Sequence, residues 1–280
     1  MSYAIARDEN VPAAIRRVVA ERIDRAAAQL TDESLPIDER VHGARKRFKE
    51  IRAVLRLARE ALGATFAIEN AWYRDAARDL SAARDADALV EAIDKLLAAA
   101  DDPRLRRALA RAKRILSKEA AAPPSVELAL QQLAIAKTRI DEWPPIADAF
   151  GTIGAGLRRT YRDGRRAMRT AIAIPSDEHF HDWRKRVKDH WYHAQLLREV
   201  WPPMMKPYLE VMEQLSRTLG DDHDLALLRA RLASPQIREA IDARRAELSE
   251  EAISIGRRVY ADAPRAVERR FGAWWNGWRR

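Results

Sequence analysis

The sequence predicts an all-α protein made of two tandem-duplicated bundles, each of four or more helices. Three observations support this prediction. Helix-forming Ala, Leu, Arg and Glu dominate the chain, and glycine contributes only 10 of its 280 residues. No convincing stretch shows the alternation of apolar and polar residues that a half-buried strand requires. An eight-residue basic motif also occurs twice in one register, which indicates an internal duplication.

The repeated motif has the form H-x-x-R-K-R-x-K. It begins at His42 and again at His181, 139 positions later, and all five specified residues recur. The register continues without a gap, so that Leu80 corresponds to Leu219 further along the chain. Agreement of this kind indicates a repeated unit of about 140 residues rather than a coincidence of composition.

Prolines, glycines and capping residues divide the chain into helices. Pro144-Pro145 is the predicted boundary between a first half, residues 1–143, and a second half, residues 146–280. Helices in the first half are predicted at about residues 10–30, 38–62, 65–82, 85–100, 103–121 and 125–142. Helices in the second half are predicted at about residues 146–172, 176–201, 202–220, 221–234, 235–261 and from 264. Short connections of this kind are typical of antiparallel bundles.

The charge balance indicates a polyanionic partner. Lys and Arg number 51 against 42 Asp and Glu, a net charge of +9 carried mainly by arginine. This balance fits nucleic acid, another phosphate polymer or an anionic membrane surface. An arginine-rich composition with solvated faces would explain the count, but it would not explain a basic cluster that repeats in register. The absence of cysteine excludes disulfides and thiolate sites. No run is long enough to span a membrane, and we expect a cytoplasmic protein.

Helical periodicity gathers the basic residues into stripes. At 100° per residue, the cations of the first motif helix fall within roughly a third of its circumference, with Arg47 on the far side. The first basic stripe comprises His42, Arg45, Lys46, Lys49, Arg52 and Arg56. The second basic stripe comprises His181, Arg184, Lys185 and Lys188, and the preceding helix adds Arg158, Arg162, Arg165 and Arg166. Because like charges on one face repel, we expect the stripes to line one groove or pore that binds a polyanion.

Several of these features also have purely structural explanations. A histidine at a helix start usually caps or packs, yet both motif histidines precede an Arg-Lys pair, where an imidazole can donate to phosphate. Asp85 and Asp224 correspond in the repeat, and we expect helix N-caps there, with orientation of a basic residue as the second reading. The tryptophan-rich tail, residues 271–280, is expected to dock onto the bundle. With no cysteine and no H-E-x-x-H, no metal site is expected.

The duplicated basic helix, followed in each half by a Leu-x-x-x-(Arg/His)-Asp element, resembles the CHAD (conserved histidine α-helical domain) family. The stretch at 161–168, before the second motif, is also similar to the start of that family's second half. The resemblance covers about residues 10–280. It implies two tandem-duplicated four-helix bundles related by pseudo-two-fold symmetry. It also implies that inorganic polyphosphate binds along a central basic surface, without catalysis. The family's motif residues fall here on His42, Arg45, Lys46, Lys49, Arg52, His181, Arg184, Lys185 and Lys188.

The chain departs from a symmetric pattern at two positions. Trp191 and Gln195 stand where the first half has Arg52 and Arg56, so the second basic stripe is weaker beyond its first two turns. Many relatives also carry a tunnel-type triphosphatase domain, for which this chain has no room, so it resembles a stand-alone member.

Three functions remain open on the sequence alone. The leading one is non-catalytic polyphosphate binding, with association with polyphosphate granules and no cofactor. The second is nucleic-acid binding, which is disfavoured because base-stacking aromatic residues are only 7% of the chain and few lie in the stripes. The third is a phosphatase or phosphotransferase that uses His42 or His181. It is disfavoured because an enzyme would normally specialise one of the two halves, whereas both motifs are intact here. The oligomeric state, monomer or homodimer, stays open.

Overall fold

The computed structural model describes residues 3–80, 85–117 and 125–280, with the side chains of 85–88 left aside. Over these residues the regular structure is entirely helical, which confirms the predicted all-α class. The α-helices are α1 (Val11–Thr31), α2 (Ile37–Leu57), α3 (Arg59–Leu62), α4 (Ala64–Asp79), α5 (Asp85–Ala99), α6 (Pro103–Leu116), α7 (Val126–Arg139), α8 (Phe150–Ala173), α9 (Asp177–Leu196), α10 (Pro202–Arg231), α11 (Pro235–Val259) and α12 (Pro264–Arg279).

Capping residues set several of these boundaries as predicted. The side chain of Asn10 accepts a hydrogen bond from the backbone N–H of Ala13 at 2.8 Å, and Ser176 does the same for His179 at 3.1 Å. Gly63, with φ of 54°, forms the turn between α3 and α4, a conformation that favours glycine. The predicted continuation of the fifth helix to residue 121 and its break at Pro123-Pro124 lie outside the described residues.

The predicted helix end at Gly220 is wrong, because α10 runs without a break from Pro202 to Arg231. A glycine inside a helix costs about 1 kcal/mol relative to alanine. Buried leucines on both sides of Gly220, at positions 219 and 225, pack α10 against its neighbours and outweigh that cost. Tertiary packing also explains why Asp222 lies inside the helix rather than at its start, since its carboxylate pairs with Arg245 of α11 at 2.8 Å.

Helices α1, α2, α4 and α7 pack together in the first half, and α8, α9, α10, α11 and α12 pack together in the second. The helix positions recur at the 139-residue offset, with α1, α2, α6 and α7 matching α8, α9, α11 and α12, and α4 and α5 together matching α10. The duplication itself stays an inference from the sequence. One hydrophobic cluster runs through both sets of helices, from Phe48 of α2 to Val187 of α9.

A second hydrophobic cluster joins α5 and α6 of the first half to α10 and α11 of the second. It contains Leu89, Ile93 and Leu109 on one side and Leu228 and Ile241 on the other. The α5–α6 hairpin therefore packs on helices from the other half of the sequence. The predicted boundary between residues 143 and 146 separates the two halves along the sequence, and this packing joins helices from both sides of it.

Candidate functional site

The first basic stripe lies along the partly exposed side of α2, as the periodicity predicts. His42 and Lys46 are exposed, whereas Arg45, Lys49, Arg52 and Arg56 are half-buried. The opposite side of α2 buries Val41, Ala44, Phe48 and Ile51 in the hydrophobic core. Burial of the apolar side fixes the rotation of the helix and so aligns the cations on the other side.

Arg47 lies off the stripe and has a structural partner. Its guanidinium donates to the buried carboxylate of Glu50 at 2.7 Å, and the same carboxylate holds the buried Arg22 at 3.4 Å. The equivalent contact recurs in the second half, where Arg186 donates to Asp189 at 3.2 Å. The last arginine of each R-K-R run therefore forms an ion pair with an acidic residue three positions later and contributes to helix packing. The motif alone did not indicate this role.

An arginine cluster forms where α2, α4 and α9 meet. Arg56 donates to Asp189 at 2.9 Å, so this carboxylate serves both Arg56 and Arg186. Arg52 donates to the amide oxygen of Asn70 at 3.1 Å. Burial, and then the nearby guanidinium of Arg56, lower the pKa of Arg52 to about 10. Two guanidinium groups thus share one carboxylate, and a third, that of Arg52, lies half-buried beside them, an arrangement that favours an added anion.

The second basic stripe faces α10. Arg184 lies beside Gly220, where a Cβ would stand 3.6 Å from its Nε. The imidazole of His181 stacks on that of His223, with ring centroids 4.2 Å apart and an angle of 30°. Lys185 is exposed and pairs with Asp182. The sequence did not predict His223 as a site residue, because it lies on α10 rather than on the motif helix. Its position next to Asp224 was the only sequence signal for it.

Positive surroundings and burial act on both stacked imidazoles. Burial, and then the charges of Lys185 and Arg184, lower the pKa of His181. Burial, His181 and Arg184 lower the pKa of His223 to about 4. Both rings are therefore neutral in the unliganded protein at pH 7.

The arginines of α8 do not converge on one site. Arg158 pairs with Glu268 of α12 at 2.8 Å, and Arg162 with its neighbour Asp163 at 2.9 Å. Arg165 is half-buried. Arg166 instead lines a cavity of about 310 Å³ between α8 and α9, shared with Arg186 and His179. The four residues therefore spread around α8, and their part in binding stays a prediction.

The predicted N-cap role of Asp224 is wrong, because the residue lies in the middle of α10. Burial raises the pKa of its carboxyl, and the charges of Arg184 and Lys95 oppose that rise. Its proximity to Arg184 agrees with the second reading, the orientation of a basic residue. The side chain of Asp85 lies outside the described residues.

Two further histidines of α9 are buried and structural. His193 donates from Nε2 to the carbonyl oxygen of Ala53 in α2 at 2.8 Å, which fixes the contact between the motif helices. His190 contacts the hydroxyl of Tyr208 at 2.6 Å. Burial lowers the pKa of His190 to about 4 and that of His193 to about 3. These neutral rings hold α9 in place beneath the second stripe.

The aromatic tail docks onto the bundle, as predicted. Trp275 is buried, and its ring lies 6.0 Å from that of Phe150 in α8. Arg279, near the end of the tail, donates a hydrogen bond to the carbonyl oxygen of Arg7 at 2.8 Å. In the part of the chain that the structure describes, no helix combines the length and apolar character that crossing a membrane requires.

Known proteins resemble this chain at the level of family and fold. A family model described as CHAD domain matches residues 13–233. The crystal structure of the CHAD domain from the plant Ricinus communis superposes with a TM-score of 0.54 at 18% identity, covering 92% of this chain and 94% of that one. At this identity the likeness shows the fold alone. A search of curated proteins finds no match.

Proposed function

Because the chain belongs to the CHAD domain family, as its repeated motif predicted, we propose that it binds inorganic polyphosphate along its two basic stripes. The observation that carries the proposal is the arginine cluster at α2, α4 and α9, where Arg56 shares the carboxylate of Asp189 with Arg186 and the half-buried Arg52 lies beside Arg56. Guanidinium groups bind phosphate oxygens in a bidentate manner, and half-burial weakens the screening of their charge.

The two stripes belong to helices that contact each other. His193 of α9 bonds to Ala53 of α2, and Arg56 of α2 bonds to Asp189 of α9. A flexible polymer with a charge on every unit can therefore follow α2 and continue onto α9. This contact supports one binding surface rather than two separate ones.

We propose binding without hydrolysis. Fixed cations stabilise a polyanion in its ground state, and ground-state binding alone does not accelerate a reaction. A phosphatase would need a nucleophile activated by a neighbouring base. In the described part of the chain, His181 and His223 make no hydrogen bond to a carboxylate. We further propose that the protein acts in the cytoplasm and associates with polyphosphate granules.

Selectivity tests this function directly. At fixed ionic strength, long-chain polyphosphate is expected to bind at least tenfold more tightly than DNA or RNA of similar total charge. The reason is that polyphosphate has no sugars or bases to accommodate and presents a dense line of charge to closely spaced guanidinium groups. Competition of each unlabelled polymer against labelled polyphosphate measures the ratio.

Each alternative function predicts a different outcome of the same experiment. Equal affinity for DNA at physiological salt would favour a nucleic-acid-binding protein. Release of orthophosphate by purified protein, abolished by His42→Ala or His181→Ala, would favour a histidine-dependent phosphatase. Absence of polyphosphate binding would reject the proposed function.

A further inference from the structure

The stacked pair of His181 and His223 has unused hydrogen-bonding capacity. Within the described residues neither imidazole makes a hydrogen bond, and Nδ1 of His181 is buried with no partner. The two rings stack 4.2 Å apart, and burial, then neighbouring cations, disfavour their protonation. Nε2 of His181 and both ring nitrogens of His223 are not among the buried atoms without a partner, so they are accessible to a bound anion.

The acidic groups nearest the pair are already engaged by cations. On α9, Asp182 pairs with Lys185 and Asp177 pairs with Arg245 of α11 at 2.6 Å. Arg245 also pairs with the buried carboxylate of Asp222, one residue before His223 in α10. These acids offset part of the positive field at the imidazoles, since Asp177 raises the pKa of His223 and Asp182 that of His181, but burial and the cations together keep both pKa values lowered.

The remaining charged groups around the pair come from α9, α10 and α5. Arg184 and Lys188 of α9 both lower the pKa of His223. Asp224 of α10 lies near Arg184, and Asp221 pairs with Lys95 of α5 at 2.7 Å. Among these charges the cations of the second stripe, Arg184 above all, act on both rings, and they would also attract a phosphate.

We propose that His181 and His223 form a two-histidine phosphate-oxygen site, in which neutral His181 donates from Nε2 and His223 takes up one proton as the polyanion binds. The proposal rests on the proposed polyphosphate function and adds His223, which lies outside the repeated motif, to the binding residues. The buried Nδ1 of His181 assigns the two roles, because a proton placed there would be a donor without an acceptor.

The sign of the pH dependence follows from proton uptake. The pKa of His223 is about 4 in the unliganded protein, and a phosphate beside the ring raises it. Affinity therefore increases as pH falls through the bound pKa, and the gain is complete below the unliganded pKa. Internal phosphates of a long polymer stay ionised between pH 8 and 5.5, so over this range the change reports on the protein.

The test compares polyphosphate affinity of the full chain at pH 8.0 and 5.5 at constant ionic strength. All variants carry His42→Gln, so that the exposed histidine of the first stripe does not contribute. We expect at least tenfold tighter binding at pH 5.5, and calorimetry in two buffers of different ionisation enthalpy should show uptake of up to one proton. His223→Gln should remove both effects. His179→Gln, which changes a half-buried histidine of α9 that contacts the carbonyl oxygen of Ile174, should retain both.

His181 has its own diagnostic pair of variants. His181→Gln, which places an amide N–H near the position of Nε2, should keep most of the affinity and the proton uptake. His181→Ala should weaken binding about tenfold, the effect of one lost charge-assisted hydrogen bond.

Three results would overturn the proposal in distinguishable ways. Intact polyphosphate binding with undiminished proton uptake in His223→Gln would reject the histidine site and leave the proposed function standing. No binding by the wild-type chain at either pH would reject both. If His223→Gln does not fold, NMR titration of the wild-type histidines decides, since the pKa of His223 must rise when tripolyphosphate is added. An unchanged pKa would reject the site.

Discussion

Reversing two charges of the first stripe, with Arg45→Glu and Lys49→Glu together, is expected to weaken polyphosphate binding by at least 100-fold near physiological salt. Each neutralised phosphate releases condensed counterions, so each lost cation removes part of the binding free energy and of its salt dependence. A 100-fold loss corresponds to about 2.7 kcal/mol. Titrations at several salt concentrations should also show a slope of log affinity against log salt that is shallower by about two.

The matched control is Arg104→Glu with Arg107→Glu. Both arginines are exposed on α6, which packs on α5 and α11 and makes no substantial contact with α2 or α9. The control changes the net charge equally, so a similar loss of affinity would mean that total charge rather than the stripe determines binding. Arg47 is unsuitable as a control, because a glutamate there would face the buried carboxylate of Glu50.

A mutant cycle between the stripes tests whether they form one site. Reversal of Lys49 and reversal of Lys188 should each weaken binding, and the double variant should lose less than the sum. A polymer that bridges α2 and α9 feels both changes, whereas independent sites would give additive losses.

Gly156→Ala is expected to destabilise the protein by about 3 kcal/mol, with a fall in Tm of roughly 6–10 °C. A Cβ at position 156 of α8 would lie 2.1 Å from the carbonyl oxygen of Leu57 at the end of α2. Backbone cannot yield as a flexible side chain can, so α8 and α2 must separate. Chemical denaturation with circular dichroism measures the loss.

Gly151→Ala is the control in the same helix. Its Cβ would meet nothing within 4 Å, and alanine favours helix over glycine by up to about 1 kcal/mol, so this variant should be slightly more stable. If Gly156→Ala were as stable as Gly151→Ala, the close approach of α8 to α2 would be wrong.

Periodicity in the sequence was sufficient to predict what happens along a single helix. It placed Arg45 and Lys49 on one side of α2 and Arg47 on the other, because an apolar side must face the core. Local chemistry was likewise sufficient for the caps at Asn10 and Ser176, where the side chain accepts a hydrogen bond from the backbone N–H three residues later.

Contacts between helices could not be predicted from periodicity. The sharing of Asp189 by Arg56 and Arg186, and the stacking of His181 on His223, join residues from different helices. Gly220 was misjudged for the same reason. Its local preference is against a helix, but the leucines around it are held by α9, α5 and α11, which a reading of neighbouring residues does not include.

The packing of α5 and α6 on α10 and α11 has a consequence for synthesis on the ribosome. Ile93 and Leu109 pack in a cluster whose other side, which includes Leu228 and Ile241, lies more than one hundred residues later in the chain. At the usual rate of elongation, those partners emerge on the order of ten seconds after the hairpin does. During that interval the nascent hairpin offers a hydrophobic surface suited to a chaperone. If translation terminated before residue 241, that surface would stay uncovered and prone to aggregation.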